Sequence, residues 1–132
     1  MMTNRRVSNW TLRAGYILSA IPVLFLLMDG IMKLFRPAVV VDATRELGYS
    51  ESVIVPLGIL LTACTVLYAI PRTAVLGAVL LTGYLGGAVA THVRVGGPVF
   101  SVIFPVIVGL FVWGGLYLRD ARVADLLPLR RK

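Results

Sequence analysis

Residues 14–35, AGYILSAIPVLFLLMDGIMKLF, form an apolar run whose only charges are Asp29 and Lys33. A helix of about 20 residues crosses the roughly 30 Å hydrocarbon layer of a bilayer, so this run is expected to span a membrane. A charge near the bilayer centre costs roughly 2.5–3.5 kcal/mol on insertion scales, and such a residue is read first as part of a functional site. Positions i and i+4 share a helix face, which sets this acid and this base where each offsets the other's charge. A secretory signal is the competing reading of the run. It fails because the run is too long and lacks a small-residue cleavage site.

The rest of the chain repeats the pattern. Of its 132 residues 58% are hydrophobic, and further apolar segments lie at about 52–70, 73–93 and 99–118. The expected fold is therefore all-α: an integral membrane four-helix bundle, up-down-up-down, forming a single transmembrane domain with loop 36–51 and tail 119–132 outside the membrane. Ser50 and Ser52 offer N-cap oxygens ahead of the second span, and Pro56 falls in its first turn, where a missing N–H costs least. Pro71 and the run Gly96-Gly97-Pro98 mark the next two turns, while Pro22 and Pro105 lie deeper and are expected to bend their helices.

The net charge of +7 would point to nucleic acid in a water-soluble chain, but here the basic residues mark orientation instead. Arg5, Arg6, Arg13, Arg72, Arg119, Arg122, Arg130, Arg131 and Lys132 fall on one side of the predicted bundle; Lys33, Arg36, Arg45 and Arg94 fall on the other. The positive-inside rule then places both termini in the cytoplasm. Trp10, Tyr16, Tyr68, Trp113 and Tyr117 are expected at the inner headgroup layer. The basic tail reads as an anchor to an anionic leaflet.

Small residues recur in the third span at Ala74, Ala78, Thr82, Gly86 and Ala90, with a second stripe at Gly83, Gly87 and Thr91. Helices associate in lipid by close backbone approach, so this helix is expected at the centre of the bundle. Packing is also the reading for Gly109, Gly114 and Gly115.

The first and third spans run in the same direction, so their C-terminal ends emerge on one face. This brings Asp29 and Lys33 to the level of Thr91, His92 and Arg94, with Glu51 near the start of the second span. Tyr84, Gly87, Thr91 and Arg94 share a helical face. We expect a pocket opening toward the outer leaflet, with Asp29, Lys33 and His92 as its reactive groups and Tyr84, Gly87, Thr91, Arg94 and Glu51 as ligand contacts. Simpler readings stand beside this one: Lys33 and Arg94 snorkelling to headgroups, and His92 bonded to a backbone carbonyl. The loop carrying Asp42, Arg45 and Glu46 reads as solvated, with folding over the pocket as the alternative.

One cysteine, Cys64, lies mid-span, and one histidine is present. An internal disulfide or dithiol mechanism is therefore excluded, and no metal site is expected from this chain alone.

Gly30-Ile31-Met32-Lys33-Leu34 resembles the Gly-x-x-Lys-Leu signature of the DoxX and DoxX-like membrane proteins. The later run Ile70-Pro71-Arg72-Thr73, Leu76-Gly77-Ala78, Gly83-Tyr84, Gly86-Gly87-Ala88 and Thr91-His92 is similar to the second half of that family's pattern. The resemblance covers about Gly15 to Leu118. It implies a four-helix, multi-pass protein of the bacterial inner membrane, with Lys33 and His92 as polar marks and Gly30 and Tyr84 as flanking ones. One branch of the family forms subunits of a thiosulfate:quinone oxidoreductase; others associate with thiol and oxidative-stress enzymes or act as assembly factors. Two functions follow for this chain. The first is binding of a quinone or isoprenoid-like lipid, the quinone carbonyls accepting hydrogen bonds from His92, Lys33 and Tyr84 while Asp29 relays a proton. In that case electrons come from a partner oxidoreductase subunit, because the chain carries no dinucleotide fingerprint or metal cluster. The second is a noncatalytic scaffold for partner membrane proteins or further copies of itself. A transporter fits less well, since a polar path across the whole bilayer is missing.

Overall fold

A computed structural model describes residues 9–126. Arg5, Arg6, Arg130, Arg131 and Lys132, used above for orientation, lie outside the described residues. The chain forms α1 (Asn9–Phe35), α2 (Ala38–Glu46), a 3-10 turn (Glu51–Val53) running into α3 (Ile54–Ala69), then α4 (Ala74–Val95), α5 (Val99–Arg119) and α6 (Ala121–Leu126). Four helical segments, of 27, 19, 22 and 21 residues, are long and apolar enough to cross a bilayer, the second being the 3-10 turn together with α3. The protein is an all-α, multi-pass membrane protein associated with a lipid bilayer. The first span begins at Asn9, earlier than the apolar run, because a helix is set by its hydrogen bonds and need not stop where hydrophobicity does.

The helix ends follow the punctuation of the sequence. The Ser50 hydroxyl accepts the Ser52 N–H at 3.3 Å and starts the 3-10 turn. Gly96 closes α4 at φ +68°, and the Gly97 N–H reaches back to the His92 carbonyl at 3.1 Å. Arg36 ends α1 with φ +55°, a conformation that disfavours any side chain. Pro37 next to it already forbids continuing the helix, and an ion pair from Arg36 to Glu51 at 3.3 Å holds the turn.

α1 packs against α3 and α5, and α4 packs against the same two, so the four spans close a ring in which α1 and α4 face each other diagonally. Close approaches occur on both α1 and α4: Gly77 of α4 lies against the Tyr68 backbone of α3, and two further crossings involve α1. A Cβ on Gly58 of α3 would stand 2.8 Å from the Lys33 Cβ and 2.9 Å from the Gly30 carbonyl. One on Gly15 would stand 2.9 Å from both the Gly115 carbonyl and the Arg119 Cβ. Gly30 faces Gly58, and Gly15 faces Gly115. Matched glycines on both sides let the backbones meet.

The expectation that the small stripes make α4 central is thereby corrected. Ala74, Gly77 and Ala78 are buried, but a Cβ on Gly83, Gly86 or Gly87 would meet nothing within 4 Å. Only the first two turns of α4 make the close approach, with Gly77 against the Tyr68 backbone, and the later glycines of the stripes do not. Gly109 and Gly114 are likewise loose, with only a Leu85 methyl 3.8 Å from the first and nothing near the second.

At the end carrying both chain termini, Tyr68 is 0% exposed. Its hydroxyl donates to the Val112 carbonyl at 2.6 Å and lies 3.0 Å from the Ser19 hydroxyl, tying α3 to α5 and α1. The Arg119 guanidinium lies over the Tyr68 ring, 5.0 Å from its centroid, and donates to the Tyr68 carbonyl. The Trp113 indole donates to Thr82 at 2.7 Å, joining α5 to α4. Tyr68 and Trp113 are thus interhelical ties and not headgroup rings, because a polar atom within the bundle finds its best partner on a neighbouring helix. Trp10, 81% exposed, remains suited to the interface.

The packing predicts a contrast between neighbouring glycines. Gly115→Val should lower the thermal stability of the detergent-solubilised protein by about 1–3 kcal/mol, whereas Gly114→Val should leave it near wild type. Thermal unfolding of the two variants checks this.

Candidate functional site

At the opposite end of the ring, where α1 and α4 finish, the helices enclose a cavity of about 360 Å³. α1 contributes Asp29 and Lys33; α3 contributes Leu57; α4 contributes Gly83, Tyr84, Gly87, Ala88, Thr91 and His92. The 36–53 connection adds Thr44, Leu47 and Tyr49.

The Lys33 ammonium donates to Asp29 Oδ1 at 2.6 Å. The Lys33 side chain is only 16% exposed, so it folds back along α1 and does not snorkel outward. Asp29 keeps 36% of its side-chain surface open, and that surface lies on the cavity. The pair is therefore nearly neutral as a unit yet retains a carboxylate oxygen and ammonium protons for a guest. In a site walled by apolar helices such charge-assisted bonds are stronger than in water.

Across the cavity, α4 presents Tyr84 and His92, neither of which makes a hydrogen bond to the described residues. The carbonyl-bonded alternative for His92 is not what the structure adopts. Thr91 is spent differently: its hydroxyl donates to the Gly87 carbonyl at 2.8 Å and so receives the Tyr49 hydroxyl, also at 2.8 Å.

The Tyr49 bond belongs to a cover. Asp42, Arg45 and Glu46 of the 36–53 connection are exposed, as expected of a solvated loop, while Thr44, Leu47 and Tyr49 of the same stretch line the cavity. Thr44 is buried, its hydroxyl bonded to the Val40 carbonyl at 2.8 Å. Gly48, at φ +85°, turns the chain so that Arg94 donates to the Leu47 carbonyl at 2.6 Å. Glu51 pairs with both Arg36 and Arg45. Arg94 and Glu51, expected as ligand contacts, are thus absent from the cavity wall and fasten its cover; their long or charged side chains are satisfied by the folded connection before they reach the interior. Gly30, expected as a contact, lies in the α1–α3 crossing against Thr62 and sets the depth of Asp29.

Thr44, Leu47 and Tyr49 were not anticipated as lining residues. A signal was present: Val40, Thr44 and Leu47 fall at i, i+4 and i+7, the face of a short amphipathic helix. Among the described residues no cluster of His, Cys, Asp and Glu could hold a metal ion. What the cavity offers is an ion pair, a phenol and an imidazole facing a small apolar volume. Such a set has both hydrogen-bond donors and acceptors to offer a polar group.

A sequence profile of the DoxX-like family matches residues 17–115, and the chain belongs to that family. The match takes in every residue that lines the cavity. No curated protein and no solved structure matches the chain.

Removing one charge of the pair should cost more than removing both. Asp29→Ala is expected to destabilise the protein by about 1–3 kcal/mol by leaving Lys33 without its partner, and Asp29→Ala combined with Lys33→Leu should recover part of that loss. A double-mutant cycle read by thermal unfolding measures the coupling.

Proposed function

We propose that this protein binds a membrane-dissolved quinone or isoprenoid-like lipid by its polar head in the cavity between α1 and α4. The observation that carries the reading is convergence: Asp29 and Lys33 from one helix and Tyr84 and His92 from another line the same space. Pockets that hold small organic molecules have volumes of roughly 300–1,000 Å³ and few polar groups among apolar ones. At about 360 Å³ this cavity suits a single ring or compact head. Quinone carbonyls accept from the Lys33 ammonium, the Tyr84 hydroxyl or His92, while Leu47, Leu57 and Ala88 take the apolar edges. Asp29 and His92 are placed to exchange protons with a ring being reduced. As a redox subunit the protein would receive its electrons from a partner oxidoreductase.

The same reading orients the bundle in the bacterial inner membrane. Of the thirteen basic residues, Arg13, Arg72, Arg119 and Arg122 lie at the end where α1 begins and α5 finishes, and five more fall in the sequence outside the described residues. The four at the cavity end are all engaged: Lys33 by Asp29, Arg36 and Arg45 by Glu51, and Arg94 by the Leu47 carbonyl. The sequence's excess of basic residues before α1, in the α3–α4 turn and after α5 supports cytoplasmic termini and a cavity beneath the outer leaflet.

Gentle purification followed by lipid extraction and mass spectrometry tests the reading. Wild-type protein is expected to carry a stoichiometric quinone or prenyl lipid. Asp29→Asn, Tyr84→Phe and His92→Ala should each lower its occupancy about tenfold, the worth of one or two hydrogen bonds. A wild-type protein free of such lipid, with variants that lose only a co-purifying membrane protein, would replace this reading with a scaffold.

A further inference from the structure

We infer that the ligand reaches the cavity sideways from the bilayer, its apolar tail lying across the glycine wall of α4 at Gly83 and Gly87. The inference rests on the proposed binding of a membrane-dissolved head and adds where the rest of that molecule goes. Two sets of observations carry it.

The first concerns the end of the cavity nearest the membrane surface. It is closed by α2 and the residues after it, with Tyr49 bonded to Thr91 and the Leu47 carbonyl held by Arg94. The Glu51 pairs with Arg36 and Arg45 fasten the start of α3 to both sides of that cover. A route from water must break these ties.

The second concerns the wall. His92 lies three residues and Gly83 twelve residues before the end of α4 at Val95, so at ~1.5 Å per residue the cavity wall on α4 extends from about 4.5 Å to about 18 Å below that end. The deeper limit is near the middle of a hydrocarbon layer about 30 Å thick. Gly83 and Gly87 are both exposed and both line the cavity, and a side chain built on either would meet nothing within 4 Å. At that depth an exposed backbone faces acyl chains. The occupant that fits is a molecule with its head among Asp29, Lys33 and Tyr84 and a flexible hydrocarbon tail passing over bare helix backbone into lipid. A headgroup without a tail would make no use of this wall.

The open space allows a direct experiment at Gly83, the deepest α4 residue of the cavity wall, where an added Cβ meets nothing within 4 Å. Gly86→Leu is the control: its Cβ also meets nothing, but Gly86 does not line the cavity. Each variant, reconstituted in nanodiscs, is titrated with two probes sharing one ring, decylubiquinone and the tailless dimethoxymethylbenzoquinone. Gly83→Leu should bind the tailed probe about tenfold more weakly by steric exclusion while binding the tailless one as wild type does, and Gly86→Leu should bind both normally. Equal loss of both probes, or unchanged binding of the tailed probe, would overturn the lateral route and leave the head site standing. Failure of wild-type protein to bind either probe would overturn the head site as well.

Discussion

An ammonium and a carboxylate 2.6 Å apart on one helix, inside a chain that otherwise presents hydrocarbon to hydrocarbon, impose the condition the rest of the structure meets. Either group alone inside the bilayer is costly, and the pair is favoured by a polar or enclosed neighbourhood. The bundle provides one by leaving space instead of filling it. α1 and α4 stand diagonally across the ring, and α4 lines the cavity with Gly83, Tyr84, Gly87, Ala88, Thr91 and His92, none of them a bulky aliphatic.

Close packing and open space are divided between the two ends. At the terminal end Tyr68, Ser19, Val112 and Arg119 form a dense polar-aromatic knot with little room left over. Toward the other end Gly30 and Gly58 draw α1 and α3 together, which fixes the height of Asp29 without committing its outer face. The cavity lies beyond that crossing, bordered by Thr44 of α2, Leu47 and Tyr49.

Composition and length made the four spans legible, because a membrane requires an apolar run of fixed minimum length and leaves few alternatives. The punctuation by Ser50, Pro71 and Gly96 was legible for the same local reasons. Of the anticipated site, Asp29, Lys33, Tyr84, Gly87, Thr91 and His92 line the cavity, since two helices of known direction bring those heights together. Arg94, Glu51 and Gly30 do not, because their position depends on how the 36–53 connection folds and on which glycines face each other. Pairings of that kind are tertiary: Gly83 and Gly115 look alike in sequence, yet one borders empty space and the other touches Ser19. Tyr68 shows the same limit, an aromatic near a predicted boundary whose hydroxyl instead found a carbonyl on α5.

The central claim is that Asp29 and Lys33 form a contact ion pair within the bilayer. Solid-state NMR of protein in lipid bilayers, labelled at the Asp29 side-chain carboxyl and the Lys33 ammonium, reads it directly. The account predicts strong dipolar coupling between the two labels and the chemical shift of an ionised carboxylate. No coupling, together with the shift of a neutral acid, would contradict it.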